Sequence, residues 1–311
     1  MVQGVQVTLD ELLRLRRQAH QLDLAPPRQA RSLQAGGYRS ALRGRGIEFD
    51  EVRIYQPGDD IRTIDWRVSA RTGQTHTKLF REERERPVLL LVDQSHSMQF
   101  GTRVAFKAVI AARAATLIGW ASAYQGDRVG CHLFNDSSHH ELRPQRGKQG
   151  VLRMAQLLTH SQPATQQDKT TPWINALSRA VHSTHPGSAL FVLSDFIDFT
   201  PEAERALTLL KRHNDVTLIF IYDPLERALP HHGNYTVSDG ERFATLHTDE
   251  QQLQQRYRAL FDSRLAHLQQ LERKLALRLI TLATDQPLLP TLQQGLAATT
   301  VRPRGAHAQH R

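Results

Sequence analysis

The residues best suited to chemistry stand where a run of apolar side chains stops: Leu89-Leu90-Leu91-Val92 leads directly into Asp93-Gln94-Ser95-His96-Ser97. A carboxylate leaving an apolar strand must be hydrated, hydrogen-bonded or metal-bound, because an unpaired buried charge is very costly. Ser95 and Ser97, two apart in an irregular turn, can aim their hydroxyls back at one point. Leu193-Ser194-Asp195 repeats the arrangement, and Thr170-Thr171, ahead of a helical stretch, adds another hydroxyl. Two carboxylates, two serines and a threonine form an all-oxygen set, which suits a hard cation such as Mg²⁺ or Mn²⁺ rather than zinc. Taken singly, Asp93 and Asp195 also read as strand-end residues that cap the following helices, worth about 1 kcal/mol each.

The elements that must position these groups begin after Pro87. Apolar strands alternate there with helical patterns, the signature of a parallel sheet covered on both faces. Strands are expected at Val88 to Val92, Arg128 to Phe134, Ser188 to Leu193, Val216 to Tyr222 and Leu277 to Leu282. Thr200-Pro201-Glu202 and Thr248-Asp249-Glu250-Gln251 mark helix starts. Leu253, Tyr257, Leu260, Phe261, Leu268, Leu271 and Leu275 form a core stripe along the last long helix. The fold class is therefore α/β, with a doubly wound, mainly parallel sheet. In such sheets ligands bind beyond the carboxyl ends of the strands, where Asp93 and Asp195 fall.

Upstream, Thr8-Leu9-Asp10-Glu11 is a capping box that opens a helix to about Leu22, broken by Pro26-Pro27. Gly36 to Arg86 reads as a compact, mostly β unit with a Pro57-Gly58 turn and strands at Glu51 to Tyr55 and Thr75 to Phe80. The expected organisation is residues 1–35 as an N-terminal helix and basic arm, 36–86 as the small unit, 87–300 as the α/β domain with an insertion at 224–247, and 301–311 as a tail. Asp59, Asp60 and Asp65 with Arg53, Arg62, Arg67 and Arg71 are dense enough in opposite charges to lock the small unit by bidentate pairs. Trp66 is read as a packing anchor.

Asp93-x-Ser95-x-Ser97, a later Thr and a later Asp resemble the metal-ion-dependent adhesion site of von Willebrand factor A domains. The resemblance selects Thr171 over Thr170, because Ala176 and Leu177 then match the Ala-Leu pair that such domains place five and six residues on. Pro172 departs from the acidic or polar residue usual after that threonine. Gly37-Tyr38-Arg39-Ser40, Gly44-Arg45-Gly46-Ile47-Glu48-Phe49, Arg53-Ile54-Tyr55-Gln56-Pro57-Gly58-Asp59-Asp60, Arg62-Thr63-Ile64-Asp65-Trp66 and Ser69-Ala70-Arg71 resemble the bacterial domain of unknown function 58 family. That resemblance implies a non-enzymatic or uncharacterised protein that works beside MoxR-type AAA+ ATPases and other von Willebrand A proteins. It further implies a Mg²⁺ or Mn²⁺ ion held by Asp93, Ser95, Ser97, Thr171 and Asp195. The signature residues Arg39, Glu48, Arg53, Tyr55, Asp59, Asp60, Arg62, Asp65, Trp66 and Arg71 then serve structure or partner recognition.

Composition sets the remaining bounds. With 311 residues and 40% apolar content the chain has material for a large core or two linked domains, which rules out disorder of the whole. Cys131 is the only cysteine, so a disulfide framework and a cysteine-rich metal site are excluded and a reducing, cytoplasmic setting is expected. No apolar run approaches the roughly 20 residues needed to span a bilayer, although peripheral membrane contact stays open. Between Arg14 and Arg45, eight arginines face one acid, Asp23. Such an arm can track phosphates, which makes nucleic-acid binding the leading alternative, yet aromatic interleaving is missing. A Mg²⁺-dependent hydrolase is the second alternative, weakened because no Gly-x-Ser-x-Gly elbow or phosphate-cradling loop occurs. His139-His140 and His231-His232 read as loop residues, and Cys131 as a small buried hydrophobe.

Overall fold

The computed structural model describes residues 4–24, 47–82, 85–160, 172–230, 233–238, 243–248 and 251–297. Two compact units emerge, Arg28–Glu85 and the rest of the chain. In the larger unit α1 (Leu9–Arg14) begins where the Thr8 side chain accepts a hydrogen bond from the Glu11 amide. It gives way to 3₁₀ turns that end at Gln21, so the expected continuous helix to Leu22 is shorter and tighter. Leu12 is fully buried and Glu11 pairs with Arg113, which makes this segment part of the α/β body. Two arginines of the basic arm are already engaged there. Arg14 pairs with Asp10 at 2.6 Å, and Arg16 donates to the Tyr124 hydroxyl at 2.9 Å while lying over the Trp120 ring.

The small unit pairs β1 (Ile47–Ile54) with β2 (His76–Glu82) as an antiparallel ladder with an irregularity between Phe49 and Glu51. Between them lies α2 (Trp66–Thr72), a helix absent from the mostly β expectation. Asp65 caps it by accepting from the Arg67 and Val68 amides, and Gly73 ends it in the left-handed region at φ 72°.

The large unit follows in the order β3 (Pro87–Asp93), α3 (Lys107–Tyr124), β4 (Arg128–Phe134), β5 (His139–Arg146), α4 (Lys148–His160), α5 (Pro172–Ser183), β6 (Ala189–Ser194), α6 (Pro201–His213) and β7 (Asp215–Tyr222). A short α7 (Pro224–Arg227), the hairpin β8 (Asn234–Ser238) and β9 (Phe243–His247), α8 (Gln251–Leu275), β10 (Arg278–Ala283) and α9 (Leu288–Ala297) complete it. The six-stranded sheet runs β10-β7-β6-β3-β4-β5, and every pairing is parallel except β4 with β5. The four central strands, β7, β6, β3 and β4, are buried almost end to end, as strands covered by helices on both faces must be. Alternation divides them. Val88, Leu90 and Val92 join one core with α3, α4 and α9, whereas Leu89 and Leu91 join another with α5, α6 and α8.

Two further expectations change. His139 and His140 lie in β5, an antiparallel edge strand, not in a loop. The strand was missed because His139-His140-Glu141 carries no apolar alternation; its charges and Pro144 instead guard an open sheet edge. Of the expected stripe on α8, Phe261, Leu268 and Leu271 are buried, but Leu260 is 68% exposed. His231 and His232, like Thr171 and Arg39, lie outside the described residues. Cys131 is buried as expected, at 1% exposure.

Candidate functional site

Asp93 ends β3 in register with its neighbours: Val92 pairs Leu193 on β6, and Asp93 pairs Phe134 on β4. Both strands run parallel to β3, so three carboxyl ends meet at one rim. Asp93 is 2% exposed. One carboxylate oxygen accepts from the Ser95 amide at 2.8 Å, the other from the Ser194 hydroxyl at 2.6 Å. Burial, then the charge of Asp195, pushes its carboxyl up to about 7, well above the ordinary 3.8, although the serine hydrogen bonds pull the other way. The chain then turns through a 3₁₀ segment, His96–Met98, and the Ser95 and Ser97 hydroxyl oxygens lie 3.1 Å apart. The Gln94 amide donates to the Phe134 carbonyl and the His96 amide to Asp136, fixing this turn at both ends.

Asp195 follows β6 directly and is fully buried. One of its oxygens accepts from the Ile197 amide at 3.1 Å; the other accepts from the Lys107 ammonium at 2.7 Å. Lys107 was not anticipated. It opens α3, is 1% exposed, and also donates to Glu226 of α7 at 2.8 Å. The signal was available, since a lysine within Ala105-Phe106-Lys107-Ala108-Val109-Ile110 sits among residues destined for the core. Glu226 in turn accepts from the Asp223 amide, completing a capping box. Asp223 is fully buried; burial alone would raise its carboxyl, but hydrogen bonds from Thr102, Thr284 and Leu225 hold it below the ordinary value.

The loop after Asp195 is held in an unusual shape. Phe196 and Asp198 occupy the left-handed region at φ 53° and 57°, which bulky residues avoid. Phe196 is buried, stacked on Trp173 with centroids 5.4 Å apart and packed against Phe199 and Phe220. The Ser194 hydroxyl accepts from the Phe196 amide at 2.8 Å while donating to Asp93. One serine therefore connects the strained loop to the first carboxylate.

Asp93, Ser95, Ser97 and Asp195 are thus brought to one rim, and Thr171 lies outside the described residues. Among the described residues no three His, Cys, Asp or Glu side chains gather as a cation-binding group. A cation here would rest on hydroxyls as well as carboxylates. The donor chemistry fits a hard ion at Asp93, Ser95 and Ser97, whereas Asp195 already shares its charge with an ammonium.

In the small unit the aspartates act mainly on backbone. Asp59 accepts from the Gln56 amide and from Arg53 at 2.7 Å, and Arg53 also donates to the Ile54 carbonyl. The Tyr55 hydroxyl donates to the Asp59 carbonyl, and Asp60 accepts from the Arg62 amide. Asp65 has its carboxyl lowered, chiefly by the Val68 amide, with Lys78 3.6 Å away. Arg62 and Arg71 are exposed, and Glu48 lies on β1. Trp66 is 69% exposed at the first turn of α2, so it does not anchor packing.

A mainly parallel sheet with helices on both faces, buried carboxylates at its carboxyl rim and a separate small antiparallel sheet define a mixed α/β protein. More particularly, the chain belongs to the family described as Protein of unknown function DUF58, which matches residues 51–270. Uncharacterized proteins of Mycobacterium tuberculosis and Mycobacterium bovis are 31% identical over 208 residues, 66% of this chain and 64% of theirs. The chain thus spans less than two thirds of the length of these curated relatives. The uncharacterized protein YeaD of Bacillus subtilis is 42% identical over 59 residues, 19% of this chain and 15% of that one. Among solved structures, an aerotolerance-related membrane protein of Bacteroides fragilis aligns at 16% identity and TM-score 0.45, over 68% of this chain and 98% of its own. No helix among the described residues is long and apolar enough to cross a membrane.

Proposed function

We propose that the chain is a divalent-cation-dependent protein-recognition module of von Willebrand factor A type, serving a MoxR-type AAA+ ATPase in the assembly or maturation of other complexes, in the cytoplasm. One observation carries the reading: a buried carboxylate and two serine hydroxyls from one turn converge at the sheet rim beside a second buried carboxylate. Mg²⁺ or Mn²⁺ would be held by Asp93, Ser95 and Ser97, with Asp195, and Thr171 by resemblance, completing the set. Bound there, the ion supplies a Lewis-acidic position that an acidic side chain of a partner can fill. The chain's own residues preset the donors. Ser194 and the Ser95 amide orient Asp93, and Lys107 fixes Asp195 against the start of α3.

The test is calorimetric titration of Mg²⁺ and Mn²⁺ into the chain, followed by binding of the purified ATPase from the same cell. Saturable ion binding lost in Asp93→Ala and Ser95→Ala, with ATPase binding that follows it, supports the proposal. Heat that is absent, or unchanged in both variants, rejects it. Partner binding that falls steeply with salt but ignores metal would instead favour nucleic-acid-like phosphate contacts through the arginine arm. Metal-dependent turnover of a phosphoester would favour a hydrolase.

A further inference from the structure

At the opposite rim of the sheet the chain builds a concavity of about 730 Å³ between the β4–β5 pair and the C-terminal half of α5. Pro87 and Arg128, the first residues of β3 and β4, line it, so it lies roughly 20 Å along the strands from Asp93. Its volume falls within the range of about 300–1,000 Å³ typical of small-molecule sites.

Arginines mark the lining: Arg128 comes from β4, Arg143 from β5 and Arg179 from α5, with the imidazoles of His182 and His185 beside them and, among the described residues, one carboxylate, Glu141. Arg143 and Arg179 bring guanidiniums from two elements to one space, and an anion between them is attracted by both. Pro87 and Pro144 add flat apolar surface. Gly130 contributes no side chain to the strand between Arg128 and His132.

The walls are fixed. His132, fully buried on β4, bonds through one ring nitrogen to His139 of β5 at 2.9 Å and through the other to the Ser183 hydroxyl of α5 at 2.9 Å. Ser183 lines the cavity, so this chain ties together the two elements that carry Arg143 and Arg179. Burial first, then neighbouring charge that includes Arg179, holds His132 down to about 4 and lowers His139, so both rings stay neutral links in this chain.

We propose that this cavity binds the phosphate groups of a small phosphorylated ligand of nucleotide size, held by Arg143 and Arg179. Guanidiniums match phosphate oxygens in paired hydrogen bonds, and the proline surfaces suit a ring. The site is independent of the rim around Asp93.

The test is calorimetric titration of ADP and of pyrophosphate into the full chain, in low-salt buffer freed of divalent metal. Saturable binding of either probe, one per chain, is expected. Arg143→Gln and Arg179→Gln should each weaken it about tenfold or more, the scale of a lost charged hydrogen bond, while Arg256→Gln on α8 changes it less than twofold. Absence of saturable heat with both probes overturns the proposal. So does equal weakening in Arg256→Gln, which marks diffuse surface association. If Arg179→Gln fails to fold, Arg143→Gln, on the exposed edge strand, decides alone.

Discussion

Replacing Lys107 by methionine keeps the length and apolar stem of the side chain and deletes only the ammonium. That group is 1% exposed and lies 2.7 Å from Asp195 and 2.8 Å from Glu226. Without it, Asp195 stays fully buried with only the Ile197 amide as its remaining contact of those described above, and Glu226, at 15% side-chain exposure, keeps the Asp223 amide but loses its counter-ion. Breaking a buried pair by removing one side costs roughly 3–5 kcal/mol, because the survivor cannot be rehydrated. In a unit of this size each kcal/mol lowers Tm by about 2–4 °C, so a drop of roughly 6–20 °C is expected. Urea unfolding and thermal melts followed by circular dichroism measure it. Adding Asp195→Asn and Glu226→Gln to Lys107→Met should recover at least half the loss, since neutral amides need no counter-ion. Should Lys107→Met alone cost less than about 1 kcal/mol, the ammonium does not compensate these carboxylates and the electrostatic reasoning fails. Under the proposed function, Mg²⁺ should raise the Tm of Lys107→Met more than that of the native chain.

Asp93, whose carboxyl is held near 7 by burial and by Asp195, penalises the folded state once ionised. The penalty is absent below about pH 4, grows between 4 and 7, and reaches at most about 4 kcal/mol above that. In metal-free buffer the stability of Asp93→Asn relative to the native chain should therefore climb across that window, and a flat difference in urea midpoints would contradict it. The Cys131 thiol is pushed up to about 12 by burial, so labelling by an aromatic disulfide reagent should proceed only at the rate of unfolding; fast labelling of the native chain would place the thiol elsewhere. Trp66→Ala should change stability by no more than about 0.5 kcal/mol, as expected for an exposed side chain, with a larger loss in urea melts counting against its exposure.

The strands around the rim were legible because their apolar runs end abruptly in Asp93 and Ser194-Asp195, and the register joins those ends as the sequence suggests. Hydroxyl spacing at Ser95 and Ser97 likewise carried over into contact. Long-range partners did not, because nothing local announces that a lysine in α3 will meet residues 88 and 119 positions later. The edge strand β5 and the helix α2 escaped for a different reason: both are polar elements fixed by pairing or by a single aspartate cap, not by apolar periodicity. Trp66 shows the same limit in reverse, since aromatic character alone does not say which side of a helix the core will occupy.

The aromatic clamp on Phe196 has a dynamic consequence. A left-handed phenylalanine costs of order 1–3 kcal/mol, and the rings of Trp173, Phe199 and Phe220 must more than offset it for the shape to persist. A segment so overdetermined does not breathe as surface connections usually do. The amides of Phe196 and Ile197, both spoken for by side chains of the preceding two residues, should exchange with deuterium as slowly as those of the strand before them, leaving the ground under Asp195 unyielding to whatever arrives.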